Sequence, residues 1–123
     1  MAKNVLIADD EDTIVEYLLA IMIRAGWTAS IVRTGREMYS LMTSLRSNYD
    51  LVITDIRMPN LNGVDGTKLA EAFGVHIPTL YISGYSDYID LPESEILLKP
   101  FTLKELDERI KGLLGKDFNT GLI

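Results

Sequence analysis

Val5-Leu6-Ile7-Ala8-Asp9-Asp10-Glu11 carries four apolar residues straight into three acids. The apolar run shows no period-two alternation, so it predicts a strand covered on both faces, as in a parallel sheet. The same pattern returns further along the chain. Leu51-Val52-Ile53-Thr54 runs into Asp55, Thr79-Leu80-Tyr81-Ile82 into Ser83, and Ile96-Leu97-Leu98 into Lys99 and Pro100. Thr28-Ala29-Ser30-Ile31-Val32 is a weaker, half-exposed run that suits an edge strand.

Helical periods lie between the strands. The first helix is expected to start near Asp12 or Thr13 and to carry Ile14, Tyr17, Leu18, Ile21 and Met22, with Gly26 at its stop. Thr34 with Glu37, and Thr102 with Glu105, have capping-box spacing. The second helix then places Met38, Leu41, Met42 and Leu45 on one face; the last places Leu103, Leu106, Ile110 and Leu113 or Leu114. A shorter helix is expected over roughly Gly66 to Phe73. Strand–helix repetition of this kind predicts a doubly wound α/β sandwich, with its working site at the carboxyl ends of the strands.

Composition narrows the chemistry. At 123 residues the chain fits one domain with a sizeable core. A net charge of −6 disfavours a nucleic-acid backbone or an anionic membrane surface as the partner. The absence of cysteine excludes disulfides, thiolate nucleophiles and Cys-based metal sites, and a single histidine, His76, excludes a His-rich one. The longest apolar run, Tyr17 to Ile23, is too short to span a bilayer, and the acids after Ala8 end any signal-peptide core, so the expected location is cytoplasmic.

Asp9, Asp10, Asp55, Ser83 and Lys99 are each among the first polar residues beyond an apolar strand. All five should therefore emerge on one edge of the sheet. Carboxylates gathered there repel: two unit charges about 4 Å apart cost about 4 kcal/mol at an effective dielectric near 20. A hard divalent cation such as Mg²⁺, which takes a few carboxylate and carbonyl oxygens and keeps several waters, resolves the conflict. Lys99 adds a fixed positive charge. A carboxylate beside a cation, a lysine and a hydroxyl can attack phosphorus.

Blander readings exist for each residue. Asp9 and Asp10 could cap the first helix, Asp55 could make an Asx turn, Ser83 could cap a helix, and Lys99 could be a surface lysine. Their joint placement makes those readings weaker together than singly. His76 reads as an exposed loop residue, and Met22, Met38, Met42 and Met58 as core filler.

From about residue 4 to 114 the chain resembles the receiver domains of two-component response regulators. The resemblance rests on Val5 to Glu11, Asp50 to Pro59, Asn62-Gly63, Ile82-Ser83-Gly84-Tyr85 and Leu98-Lys99-Pro100-Phe101. It implies a flavodoxin-like fold, a five-stranded parallel sheet in order 2-1-3-4-5. It also implies that Asp55 accepts a phosphoryl group from a histidine kinase or histidine phosphotransfer protein. Mg²⁺ would be bound by Asp10, Asp55 and the backbone carbonyl of Arg57, with Asp9 acting through a water. Ser83 and Lys99 would contact the phosphoryl group, and the Lys99-Pro100 bond would be cis. The domain would be an enzyme only in catalysing its own phosphorylation and dephosphorylation, and would signal to a downstream protein or a fused output domain.

Two features depart from that family's pattern. Three residues before the lysine, where many receivers carry a Tyr or Phe that turns inward on activation, stands Ile96. Only fifteen residues separate Ser83 from Lys99, so a shortened or irregular fourth helix is expected between Tyr85 and Glu93. Arg57 and Tyr85, two positions beyond Asp55 and Ser83, are placed to shield a phosphoryl group from water. Residues 115–123 read as a C-terminal tail to a single domain spanning 1–123. An output domain is not expected after this tail, which suits a stand-alone regulator or a receiver taken from a larger protein such as a hybrid kinase. Three competing classes are disfavoured. A receiver fold that no longer uses phosphate would not need all five site residues. A flavodoxin-type ligand binder is opposed by the acids after strand 1. An aspartyl-intermediate hydrolase would need a cap insertion and a second acid two residues after Asp55.

Overall fold

Each apolar run forms the strand its pattern predicts, and the strands hydrogen-bond into one parallel sheet in order β2-β1-β3-β4-β5. A computed structural model describes residues 3–84 and 90–123. The elements are β1 (Lys3–Ala8), α1 (Asp12–Arg24), β2 (Trp27–Val32), α2 (Gly35–Met42), β3 (Leu51–Asp55), α3 (Gly63–Ala72), β4 (Thr79–Ser83), β5 (Ile96–Leu98) and α4 (Leu103–Leu114). A single 3₁₀ turn at Glu93–Glu95 leads into β5. Much of the irregular fourth helix expected after Ser83 falls on residues 85–89, outside the described residues.

Residues alternate across the sheet and build two apolar layers. Val5, Ile7, Leu51, Ile53, Leu80, Ile82 and Leu97 face α1 and α4, where Leu18, Met22, Leu106 and Ile110 meet them. Leu6, Ala8 and Val52 face the opposite way onto Met38, Met42 and Ala70 of α2 and α3. β3 is buried throughout because helices cover both its faces, which is why its sequence shows no alternation.

Local chemistry sets the helix ends. Thr102 accepts the amide of Glu105 while the Glu105 carboxylate accepts the amide of Thr102, a reciprocal capping box. That pairing holds the Glu105 carboxyl below its ordinary range, mainly through the Thr102 amide. At α2 the exchange is lopsided: Thr34 accepts from Glu37, but the Glu37 carboxylate takes the Arg33 amide. Leu45 lies beyond the end of α2 and is fully exposed, contrary to the predicted face. α3 starts three residues earlier than predicted because Asn62 caps it, accepting the Asp65 amide at 2.8 Å.

Part of the C-terminal segment read as a tail packs against the core: Thr120 and Leu122 are buried and Phe118 is half-buried, while its other residues are exposed. The Trp27 indole N–H donates to the Thr120 carbonyl at 2.8 Å, and the Thr120 hydroxyl bonds the buried Asp107 carboxylate. Phe118 sits against Trp27, with the Lys3 ammonium over both rings, and Leu122 joins the α1–α4 layer. Phe118, Thr120 and Leu122 lie outside any helix or strand, so no helical or strand period announces this packing.

Candidate functional site

The carboxyl ends of β1, β3, β4 and β5 deliver Asp9, Asp55, Ser83 and Lys99 to one edge, as the strand endings predict. Asp9, Asp10 and Asp55 each offer a carboxylate oxygen within 4.8 Å of the other two. Asp9 and Asp55 are buried, whereas Asp10 is exposed. Glu11, Asp55, Arg57, Ser83, Gly84 and Lys99 line an open cleft of about 340 Å³.

Two matching turns orient the buried acids. Asp9 Oδ1 accepts the amide of Glu11 at 2.9 Å, and Asp55 Oδ1 accepts the amide of Arg57 at 3.3 Å. Each is a bond to the backbone two residues on, so the Asx-turn reading of Asp55 holds. Asp9 is committed to its own turn and does not cap α1. With one oxygen held, each acid presents Oδ2 to Lys99, whose Nζ lies 3.2 Å from Asp55 and 3.5 Å from Asp9.

Charge in this pocket is poorly solvated. Burial pushes the Asp9 carboxyl up to about 6; the Glu11 amide opposes that, the Asp55 charge adds to it, and Lys99 opposes it again. At Lys99 burial disfavours the ammonium, but Asp55, Asp9 and Glu11 together outweigh it and raise the pKa. The cluster is thus short of positive charge even with Lys99 in place. Its donors are all carboxylates, two of them buried, which fits a hard, oxygen-seeking divalent cation.

The cis Lys99-Pro100 peptide expected from the sequence is present. His76 stands apart from the cleft, whose lining does not include it, and Tyr85 lies outside the described residues. The sequence reading assigned Glu11 no separate role, yet its carboxylate is 3.5 Å from Lys99. The signal was the third acid in the run, masked by its place beside the start of α1. Gly63 carries a sequence signal only as part of the Asn62-Gly63 pair. A Cβ on it would lie 2.3 Å from the Asp55 carbonyl oxygen, so only glycine lets α3 begin this close to Asp55.

Comparison with known proteins places the chain in a family. The transcriptional regulatory protein SphR for alkaline phosphatase synthesis, from Synechococcus elongatus, is 28% identical, over 96% of this chain and 51% of its own. The chain spans about half the length, or less, of the curated relatives it matches. A response regulator receiver protein from Sinorhizobium medicae is 30% identical, with a TM-score of 0.79 over 92% of this chain and 94% of that one. The receiver domain of a sensor histidine kinase from Pseudomonas aeruginosa, solved with magnesium coordinated in its active-site cleft, shares the fold at 21% identity. Its TM-score is 0.79 over 93% of this chain and 98% of its own. Residues 5–111 match the response regulator receiver domain as a family, and the chain belongs to that family.

Proposed function

We propose that Asp55 is the phosphoacceptor, and that the chain catalyses transfer of a phosphoryl group to it from a phosphohistidine on a kinase or phosphotransfer protein. Receiver domains are signalling modules phosphorylated on aspartate; which residues do this here is the proposal. The observation that carries it is Lys99 Nζ lying 3.2 Å from Asp55 within the three-aspartate cluster.

In the transfer, a carboxylate oxygen of Asp55 attacks phosphorus as the bond to the histidine nitrogen breaks, and the imidazole leaves with that electron pair. The Asp55 turn to Arg57 fixes the carboxylate plane, and the buried setting costs no reorganisation at the moment of attack. Lys99 follows the developing charge onto the phosphoryl oxygens, and the Ser83 hydroxyl, on the same cleft wall, donates to one of them. Asp10, Asp55 and the Arg57 carbonyl would hold Mg²⁺, with Asp9 contacting it through water. When bound, Mg²⁺ supplies positive charge that offsets the crowded acids and the phosphoryl oxygens.

Phosphorylation then biases a pre-existing equilibrium between two surfaces, read by a downstream protein or a fused output domain. With Ile96 half-buried in β5, no aromatic occupies the position that turns inward in many receivers. Incubation with phosphoramidate tests the reading: phosphoprotein should accumulate with Mg²⁺, fall sharply with EDTA, and be absent in Asp55→Asn. Equal labelling of Asp55→Asn would overturn it.

A further inference from the structure

Thr67 and Tyr81 share a buried hydroxyl–hydroxyl hydrogen bond that the chemistry above leaves unused. Thr67 lies in the second turn of α3 and donates its own proton to the Val64 carbonyl at 3.0 Å. Tyr81 lies on β4 in register with Ile96 of β5, and among the described residues its ring packs in a small apolar cluster with Ile56, Val64 and Leu91.

The two ends of this bond lead to the two walls of the site. On one side, the first residue of α3, Gly63, rests on the Asp55 peptide and donates its amide to the Ile56 carbonyl at 2.9 Å. On the other, Tyr81 precedes Ser83 by two residues and so shares its sheet face. The Ile56 amide closes the circuit by donating to the Ile82 carbonyl at 3.1 Å. Asp55, α3, Tyr81 and Ser83 thus form one hydrogen-bonded and packed ring.

We propose that the Tyr81–Thr67 bond is a positioning device. It locks the start of α3 to β4 and so fixes how the Ser83 hydroxyl meets the group on Asp55. The claim rests on the phosphoryl-transfer reading above for its kinetic consequence, though not for its structural one. In this arrangement an aromatic beside the Ile96 position is anchored by a hydroxyl, so it serves as a fixed strut.

The experiment compares wild type with Tyr81→Phe, Thr67→Val, Thr67→Ser and the Phe/Val double variant, well below each unfolding midpoint. The first readout is the rate of phosphorylation by phosphoramidate with Mg²⁺. Losing the bond should slow transfer about fivefold in Tyr81→Phe and in Thr67→Val, the double variant should be no slower than either, and Thr67→Ser should restore the rate. The second readout is amide hydrogen exchange without any phosphodonor. Exchange should quicken selectively at Ile56 and Gly63, relative to Val5 and Leu51, in the same variants. A lowered midpoint with unchanged rate and unselective exchange would show ordinary packing and overturn the proposal. If wild type itself takes no phosphoryl group, the functional reading fails, and the exchange pattern alone then upholds or overturns the strut.

Discussion

Replacing Asp9 with asparagine should make the metal-free protein more stable at neutral pH, although it removes a charge that faces Lys99. The Asp9 carboxyl rises from an ordinary 3.8 to about 6, chiefly because burial penalises its charge. A carboxyl whose pKa is higher folded than unfolded favours folding below the unfolded value, and that benefit is lost as pH rises through the folded value. Above about pH 6 the ionised carboxylate therefore weighs against the fold. A rise of about two units at about 1.4 kcal/mol each gives a burden of about 3 kcal/mol at pH 7.5, shrinking to about 1 kcal/mol at pH 4.5. Asparagine keeps an acceptor for the Glu11 amide, so the turn survives. Urea denaturation in EDTA at the two pH values measures the difference between wild type and Asp9→Asn, which cancels the titration of other groups. The variant should lead by about 1 to 3 kcal/mol at pH 7.5 and by clearly less at pH 4.5. An Asp9→Asn protein no more stable than wild type at pH 7.5, or a gap that widens on acidification, would refute the electrostatic reasoning.

Other outcomes follow from the same geometry. Mg²⁺ at about a hundred times its dissociation constant should stabilise wild type by about 2.7 kcal/mol, and Asp10→Ala should abolish most of that gain in thermal unfolding with and without the ion. Thr102→Ala removes half of the capping box and should cost about 1 kcal/mol in chemical denaturation, with the phosphorylation rate preserved. Trp27→Phe leaves the buried Thr120 carbonyl without its indole donor and should cost about 1 to 3 kcal/mol. A midpoint for Trp27→Phe equal to wild type would show that the C-terminal packing contributes nothing.

The site edge was legible because apolar runs ending in a polar residue encode both burial and direction, whereas the strand order 2-1-3-4-5 came only from the resemblance to receiver domains. Asp9, Asp55, Ser83 and Lys99 each followed such a run, so their convergence was readable before any coordinates. What stayed hidden depends on contacts between residues far apart in the chain. Thr120 reads as a tail residue until Trp27, 93 positions away, donates to it. Tyr81 reads as strand filler until Thr67 meets its hydroxyl. The start of α3 was misplaced because Asn62 caps a helix whose first turn, Gly63-Val64-Asp65-Gly66, has two glycines and little helical propensity. Leu45 was given to a helix face because its spacing fits, although the chain has already left α2 at that point.

The central claim is that one carboxylate, that of Asp55, becomes an acyl phosphate. The most direct measurement is phosphorylation with a phosphohistidine donor and Mg²⁺, then borohydride reduction, which turns an acyl-phosphorylated aspartate into homoserine, and peptide mapping. Homoserine at position 55 alone is the predicted result. Homoserine at Asp9 or Asp10, or none anywhere in protein shown to be folded, would contradict the account.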